Sequence, residues 1–130
     1  MIDPKSLKYT PTHEWVHLEG DVATVGITRF AVDQLTDLIL IDLPKVGTKV
    51  APGQSFGEIE SVKAVSDLYA PVGGEVVAVN QAVADDVQVL AQDPYEKGWL
   101  IKVRLSDPKA DVPSLLTHDE YQQKIAESPH

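Results

Sequence analysis

Two short stretches carry residue types that could do chemistry. His13–His17 reads "HEWVH", a match to H-E-x-x-H, in which a helix offers two zinc-binding histidines and a general-base glutamate. The second stretch, "GEIESVKAVSDLYAP" (Gly57–Pro71), holds Lys63, the only lysine between Lys49 and Lys97. Strand-like residues flank "SVKA" on both sides, so the pattern predicts a hairpin with Lys63 at its tip. A tip lysine is usually a solvated charge, but its amine can also anchor a covalent group. The zinc pattern leaves two of its five positions free, so the surrounding elements have to decide both cases.

Those elements are mostly strands. "DVATVGI" (Asp21–Ile27), "LILIDL" (Leu38–Leu43) and "GEVVAVN" (Gly74–Asn80) are short, alternating or Val-rich runs. In "WLIKVRL" the period of two puts Trp99, Ile101, Val103 and Leu105 on one face, with Lys102 and Arg104 opposite. "EGD" (Glu19–Asp21), "PKVG" (Pro44–Gly47), "APG" (Ala51–Gly53), "APVGG" (Ala70–Gly74) and "DPYEKG" (Asp93–Gly98) supply turns. Many short strands separated by Gly and Pro turns suggest a sandwich or barrel. Helical signals are confined to two places. Thr28 caps "TRFAVDQL", and Thr117 with Glu120 forms a capping box opening "HDEYQQKIAES", whose Tyr121 and Ile125 could pack on the sheet. A weak echo between Val46–Ile59 and Val72–Val87, each running from a Val-Gly turn through a strand and a loop into another strand, centres attention on Glu60–Leu68.

Size and charge narrow the function classes. The 130 residues are 43% apolar, enough for one modest core. The chain has no cysteine, so disulfides, thiolate metal sites and cysteine nucleophiles are excluded. Its net charge of −9 disfavours nucleic acid and anionic membrane surfaces, and suits partners with basic docking patches. No window reaches the ~18 apolar residues of a membrane span, and the N-terminus lacks a signal-peptide core. The expectation is a cytoplasmic protein; a mature mitochondrial chain would have the same composition.

"GEIESVKAVSDLYAPVGGEVVAVN" resembles the lipoyl-attachment segment of the glycine cleavage system H protein family. "HEWV", "VGIT", "VDQL", "IDLPKVG" and "DPYEKGWL" occur in that family's order and spacing, covering about Tyr9 to Leu105. The resemblance implies a flattened barrel-sandwich hybrid of the lipoyl/biotinyl-carrier type, mainly β, with a short helix near 28–36 and a C-terminal helix. It implies one domain over 1–130, with a core of about 9–105 and a helical segment of about 106–128. It implies a non-catalytic carrier with lipoate joined to Lys63 through an amide. The arm would accept an aminomethyl group from glycine on a pyridoxal-phosphate decarboxylase and pass it to a tetrahydrofolate-dependent aminomethyltransferase. Dihydrolipoyl dehydrogenase would reoxidise the arm, and a lipoate ligase or lipoyl transferase would attach it. Biotin is the weaker reading, because Val62 and Ala64 flank Lys63 where biotin carriers typically have methionines. His13 and Glu14, the latter by family position, and Asp67, an acid close to Lys63 in sequence, are expected to border a cleft for the loaded arm, whose cationic amine needs an acidic partner.

In strand geometry His13 and His17 lie about 13 Å apart with Glu14 on the opposite face, which no single metal can bridge. Thr10, Pro11 and Gly20 could bound a helix, but Trp15 and Val16 favour strand and "EGD" continues into "VATVGI". No metal ligands are therefore assigned, and the two histidines read as ordinary, partly buried ones. The chain departs from the family at Thr36, at Val87–Gln88 and Ala91, and at Glu96. Those departures motivate one alternative, an H-like protein that relays lipoate to other acceptors.

Overall fold

The computed structural model describes residues 4–35, 37–106 and 115–127. Two antiparallel sheets face each other. One has the strand order β1 (Lys8–Tyr9), β2 (Glu14–Glu19), β3 (Val22–Ile27), β9 (Ile101–Leu105), β8 (Gly74–Val79), β5 (Lys49–Val50); the other is β4 (Leu38–Asp42), β6 (Ser55–Ser61), β7 (Val65–Tyr69). Apolar residues at every second position of the strands turn inward. Val16, Val25, Ile27, Val76, Ile101 and Val103 of the first sheet meet Ile41, Phe56, Ile59 and Leu68 of the second in one core. Each such side chain contributes roughly 1.5–3 kcal/mol relative to exposure.

A smaller cluster lies outside that core, built from Leu7, Tyr9, Trp15 and Tyr121 with Tyr95, Trp99, Leu116 and Ile125 packed against it. Trp15 is fully buried and directly opposite Gly26. A Cβ on Gly26 would stand 2.5 Å from the indole ring, so only glycine lets the ring lie flat there. The indole N–H donates to the Pro94 carbonyl at 3.0 Å, anchoring the loop before β9.

The helices follow their caps. In α1 (Arg29–Leu35) the Thr28 hydroxyl accepts the Ala31 N–H at 3.2 Å. At α4 (His118–Glu127) Thr117 and Glu120 exchange side-chain and backbone bonds of 2.8 and 3.2 Å, the capping box read from the sequence. Two elements differ from expectation. The run after β8 forms α2 (Gln81–Asp85) and α3 (Gln88–Gln92) instead of a strand. Each is five residues long, too short to show a helical period. Trp99 precedes β9 and does not share the face of Ile101, Val103 and Leu105; it joins the aromatic cluster, with Lys102 Nζ 5.2 Å from its ring centroid. Thr36 lies outside the described residues.

Candidate functional site

Val62, Lys63 and Ala64, all exposed, lie between β6 and β7, and the Ser61 N–H donates to the Ala64 carbonyl at 2.8 Å, so Val62 and Lys63 form a two-residue tip. Two-residue hairpin loops ordinarily use glycine or asparagine at positive φ. Neither Val62 nor Lys63 has positive φ, so the turn is held another way. Ser61, buried at the end of β6, does this with one hydroxyl. Its Oγ accepts the N–H groups of Lys63 and Ala64 at 3.3 and 3.2 Å and donates to the Ala64 carbonyl at 3.2 Å. That uses every donor and acceptor a serine has. The Val62 N–H donates to the Asp37 carbonyl at 3.1 Å, tying the tip to the α1–β4 connection. The Lys63 side chain therefore projects from a fixed backbone.

A second loop joins β1 to β2. The Thr10 carbonyl accepts the His13 N–H at 3.1 Å, a β-turn with Pro11 second, where its fixed φ is suited. His13 follows at φ 74, the left-handed step that closes a three-residue hairpin loop. His13 is thus a turn residue, not the strand residue the sequence suggested; the strand begins at Glu14. The "HEWVH" segment is a turn running into a strand, so its residues do not have the helical spacing on which H-E-x-x-H depends. His13 Nδ1 lies 2.8 Å from the Tyr121 hydroxyl, which is 2.7 Å from Thr28 Oγ1, so α4 is clasped to both strands at the open end of the β2–β3 hairpin. Burial, with Glu14 and Tyr95 nearby and opposed by the Thr28 bond, pushes the Tyr121 phenol up to about 12.

Glu14 is only 2% exposed. Its Oε1 accepts the Thr10 hydroxyl at 2.7 Å and the Thr12 hydroxyl, and its Oε2 accepts the Tyr69 N–H at 3.4 Å from the other sheet. Burial raises its pKa above the ordinary 4.5, and the Thr12, Thr10, Tyr69 and Glu14 donors oppose that rise without cancelling it. Asp67 stands on β7, exposed, opposite Glu58, and accepts the Ser55 hydroxyl at 3.4 Å.

One groove of about 180 Å³ brings His13, Glu14 and Asp67 together; Lys63 is not part of its lining. Thr12, His13, Glu14 and Asp67 line it, with apolar walls that include Ile27, Ala31, Leu35, Ile59 and Leu68. An arm rooted at Lys63 has to span about 13 Å, the rise of four strand residues, to come level with Asp67. Apolar walls with one buried and one exposed acid suit an apolar chain that carries a polar or cationic end. The sequence reading missed Thr10 and Thr12. Their signal was present: two hydroxyl residues four and two positions before an acid, at the base and in the loop of a hairpin.

At Ala91 and Glu96, two of the positions that depart from the family pattern, the local structure is well satisfied. The Ala91 carbonyl accepts the Arg29 guanidinium at 2.8 Å. Glu96 does not adopt positive φ. Burial would raise the Asp93 carboxyl, but the N–H groups of Glu96, Tyr95 and Lys97, with the Lys97 charge, hold it below the ordinary range.

A family model described as "Glycine cleavage H-protein" matches residues 7–128. The glycine cleavage system H protein of Acaryochloris marina is 52% identical over 122 residues, covering 94% of both chains. That of Thermosynechococcus vestitus is 58% identical over 103 residues, 79% of this chain and 81% of its own. The crystal structure of a glycine cleavage system H protein from Mycobacterium marinum superposes with a TM-score of 0.87 at 43% identity, covering 95% of this chain and 99% of that one. The two facing sheets are thus the barrel-sandwich expected of a lipoyl carrier. With these matches over nearly its whole length, the chain belongs to the glycine cleavage H-protein family, non-catalytic carriers that bear lipoate covalently on a lysine.

Proposed function

We propose that Lys63 bears the lipoyl group and that the groove lined by Glu14 and Asp67 receives the loaded arm. The observation that carries the reading is the braced, exposed hairpin tip. A modifying enzyme needs an amine at a fixed point, and Ser61 fixes the backbone on both sides of it. The carrier serves the glycine cleavage system, and the decarboxylase and aminomethyltransferase of that system are its partners. Bound lipoate supplies the disulfide that accepts the aminomethyl group of glycine. This chain's residues supply position and shelter. Ile27, Leu35, Ile59 and Leu68 keep water from an arm lying in the groove. The Glu14 carboxylate faces a cationic amine with a charge-assisted hydrogen bond. Asp67 contributes charge at the rim, and His13 holds the loop against α4.

The reading extends to one functional domain over 1–130, to a lipoate ligase or lipoyl transferase acting on Lys63, to reoxidation by dihydrolipoyl dehydrogenase, and to a cytoplasmic setting. Among the described residues no helix is long and apolar enough to cross a membrane. The family match favours the carrier role over a lipoate relay to other acceptors.

The test is intact mass after incubation with lipoate and a ligase. One lipoyl group should be gained and map to Lys63. An unmodified Lys63, with the ligase active on a control acceptor, overturns the assignment.

A further inference from the structure

Glu14 is approached from two sides. The arm groove includes Thr12 in its lining but not Thr10. A second hollow of about 370 Å³, lined by Thr10, Thr12, Tyr69, Pro71 and Leu115, reaches Glu14 from another direction. Thr10 thus lines the second hollow and not the groove. It is itself buried, and its hydroxyl has two fixed relationships. Oγ1 accepts the backbone N–H of Glu14 at 3.1 Å and donates to Glu14 Oε1 at 2.7 Å. With its acceptor side occupied by an N–H, the hydroxyl's proton is left to point at the carboxylate. The chain N–H to O–H to carboxylate is polarised in one sense, which strengthens the last bond. The Thr10 and Thr12 oxygens are 3.1 Å apart. While both protons point at Oε1, neither hydroxyl donates to the other. A proton taken up on Oε1 would displace one of the two hydroxyls.

We infer that Thr10 is a positioning residue: its hydroxyl, oriented by the Glu14 N–H, holds the buried Glu14 carboxylate ionised and aimed toward the groove without touching the arm. This rests on the reading of Glu14 as the acid that meets a loaded arm. Burial works against ionisation at this site, and the hydroxyls work for it. Among the described residues, the other ionisable groups facing Glu14 are His13 beside it, Asp67 across the groove, Tyr69 at the second hollow and Tyr121 from α4. None of these is altered by a change at Thr10.

The test reads Glu14 directly, in the unmodified protein, by carboxyl-carbon NMR across pH. Thr10→Val removes the hydroxyl at nearly constant shape and should move the Glu14 titration up by about one pH unit, the size of one charged hydrogen bond. Thr10→Ser keeps a hydroxyl and should leave the titration near the wild-type midpoint. A folded Thr10→Val whose Glu14 titrates as in the wild type overturns the inference. Should Thr10→Val not fold, the wild-type protein decides: the Thr10 hydroxyl proton should be protected from exchange and its shift should follow the Glu14 titration, and an unprotected proton that ignores it overturns the inference equally. A separate arm measures the lifetime of the aminomethyl-loaded group on lipoylated protein. Glu14→Gln should shorten it at all pH values above the Glu14 midpoint, whereas Thr10→Val should shorten it only between the two midpoints. An unchanged lifetime in Glu14→Gln sinks the protective reading of Glu14, while the titration still judges Thr10.

Discussion

Two hairpin loops present the two groups that matter, and both rely on a hydroxyl residue at the base of the loop. Ser61 closes the Val62–Lys63 loop, and Thr10 closes the Pro11–His13 loop. Their uses are opposite. The Ser61 hydroxyl spends all its bonds on backbone, which leaves the Lys63 side chain free. The Thr10 hydroxyl takes one backbone bond and gives its proton to a side chain, which leaves Glu14 fixed. Exposure follows: Val62 at the lysine tip is 69% exposed, while Glu14 is 2% exposed. A swinging arm needs a rigid root and a mobile side chain. A receiving acid needs both to be rigid, at the cost of burying a charge.

The sharpest way to break this contrast is at Lys63. Lys63→Arg should abolish lipoylation completely, seen as no mass gain, and shift stability by less than about 0.5 kcal/mol, as for an exposed site. A large loss of stability would show that the tip is structural after all.

Glu14 should behave in the reverse manner, with stability tied to pH. At low pH the acid is protonated in both folded and unfolded chains. As pH rises past 4.5 the unfolded chain ionises first, and the folded chain follows only at its raised value. The stability present below 4.5 is therefore lost as pH rises through the folded value. Unfolding midpoints of wild type and Glu14→Gln, measured from acid to neutral pH, should show the variant gaining relative to wild type across that window. A constant difference would mean that Glu14 titrates like a surface acid.

Tyr121→Phe removes the hydroxyl shared by Thr28 and His13 and should cost about 1–2 kcal/mol by denaturant unfolding. The smallest effect belongs to Ser61→Ala. The tip N–H groups are near water, so about 0.5–1 kcal/mol is expected. The modification rate at Lys63 should fall several-fold because the root is looser, and a rate equal to wild type would deny the brace any functional part.

The two loops also differ in how far they could be read from sequence. The lysine hairpin is local: strand residues on either side of "SVKA" define it, and the tip follows. The Glu14 site is not local. Its groove needs α1, β3, β6 and β7 around one turn, and the Tyr69 bond crosses between sheets. Glu14 came to the reading through the family resemblance and Asp67 through its nearness to Lys63 in sequence, and the hydroxyls that hold Glu14 were passed over because Thr10 beside Pro11 reads as the possible start of a helix. The strands of the core were legible from alternation and both capped helices from their caps. The paired five-residue helices were not, because a helix of that length carries no period.

Gly26 and Trp15 stand opposite each other with no room between them. The consequence is one of inheritance. A chain that gains any side chain at Gly26 must shrink the ring at Trp15 in the same lineage, and a chain that loses the ring leaves a hole that only a larger neighbour can refill. The two positions form a single heritable unit. Because Trp15 is the residue after Glu14 and its indole anchors Pro94, drift at Gly26 is also barred by whatever selection acts on the acid and on the loop at Pro94.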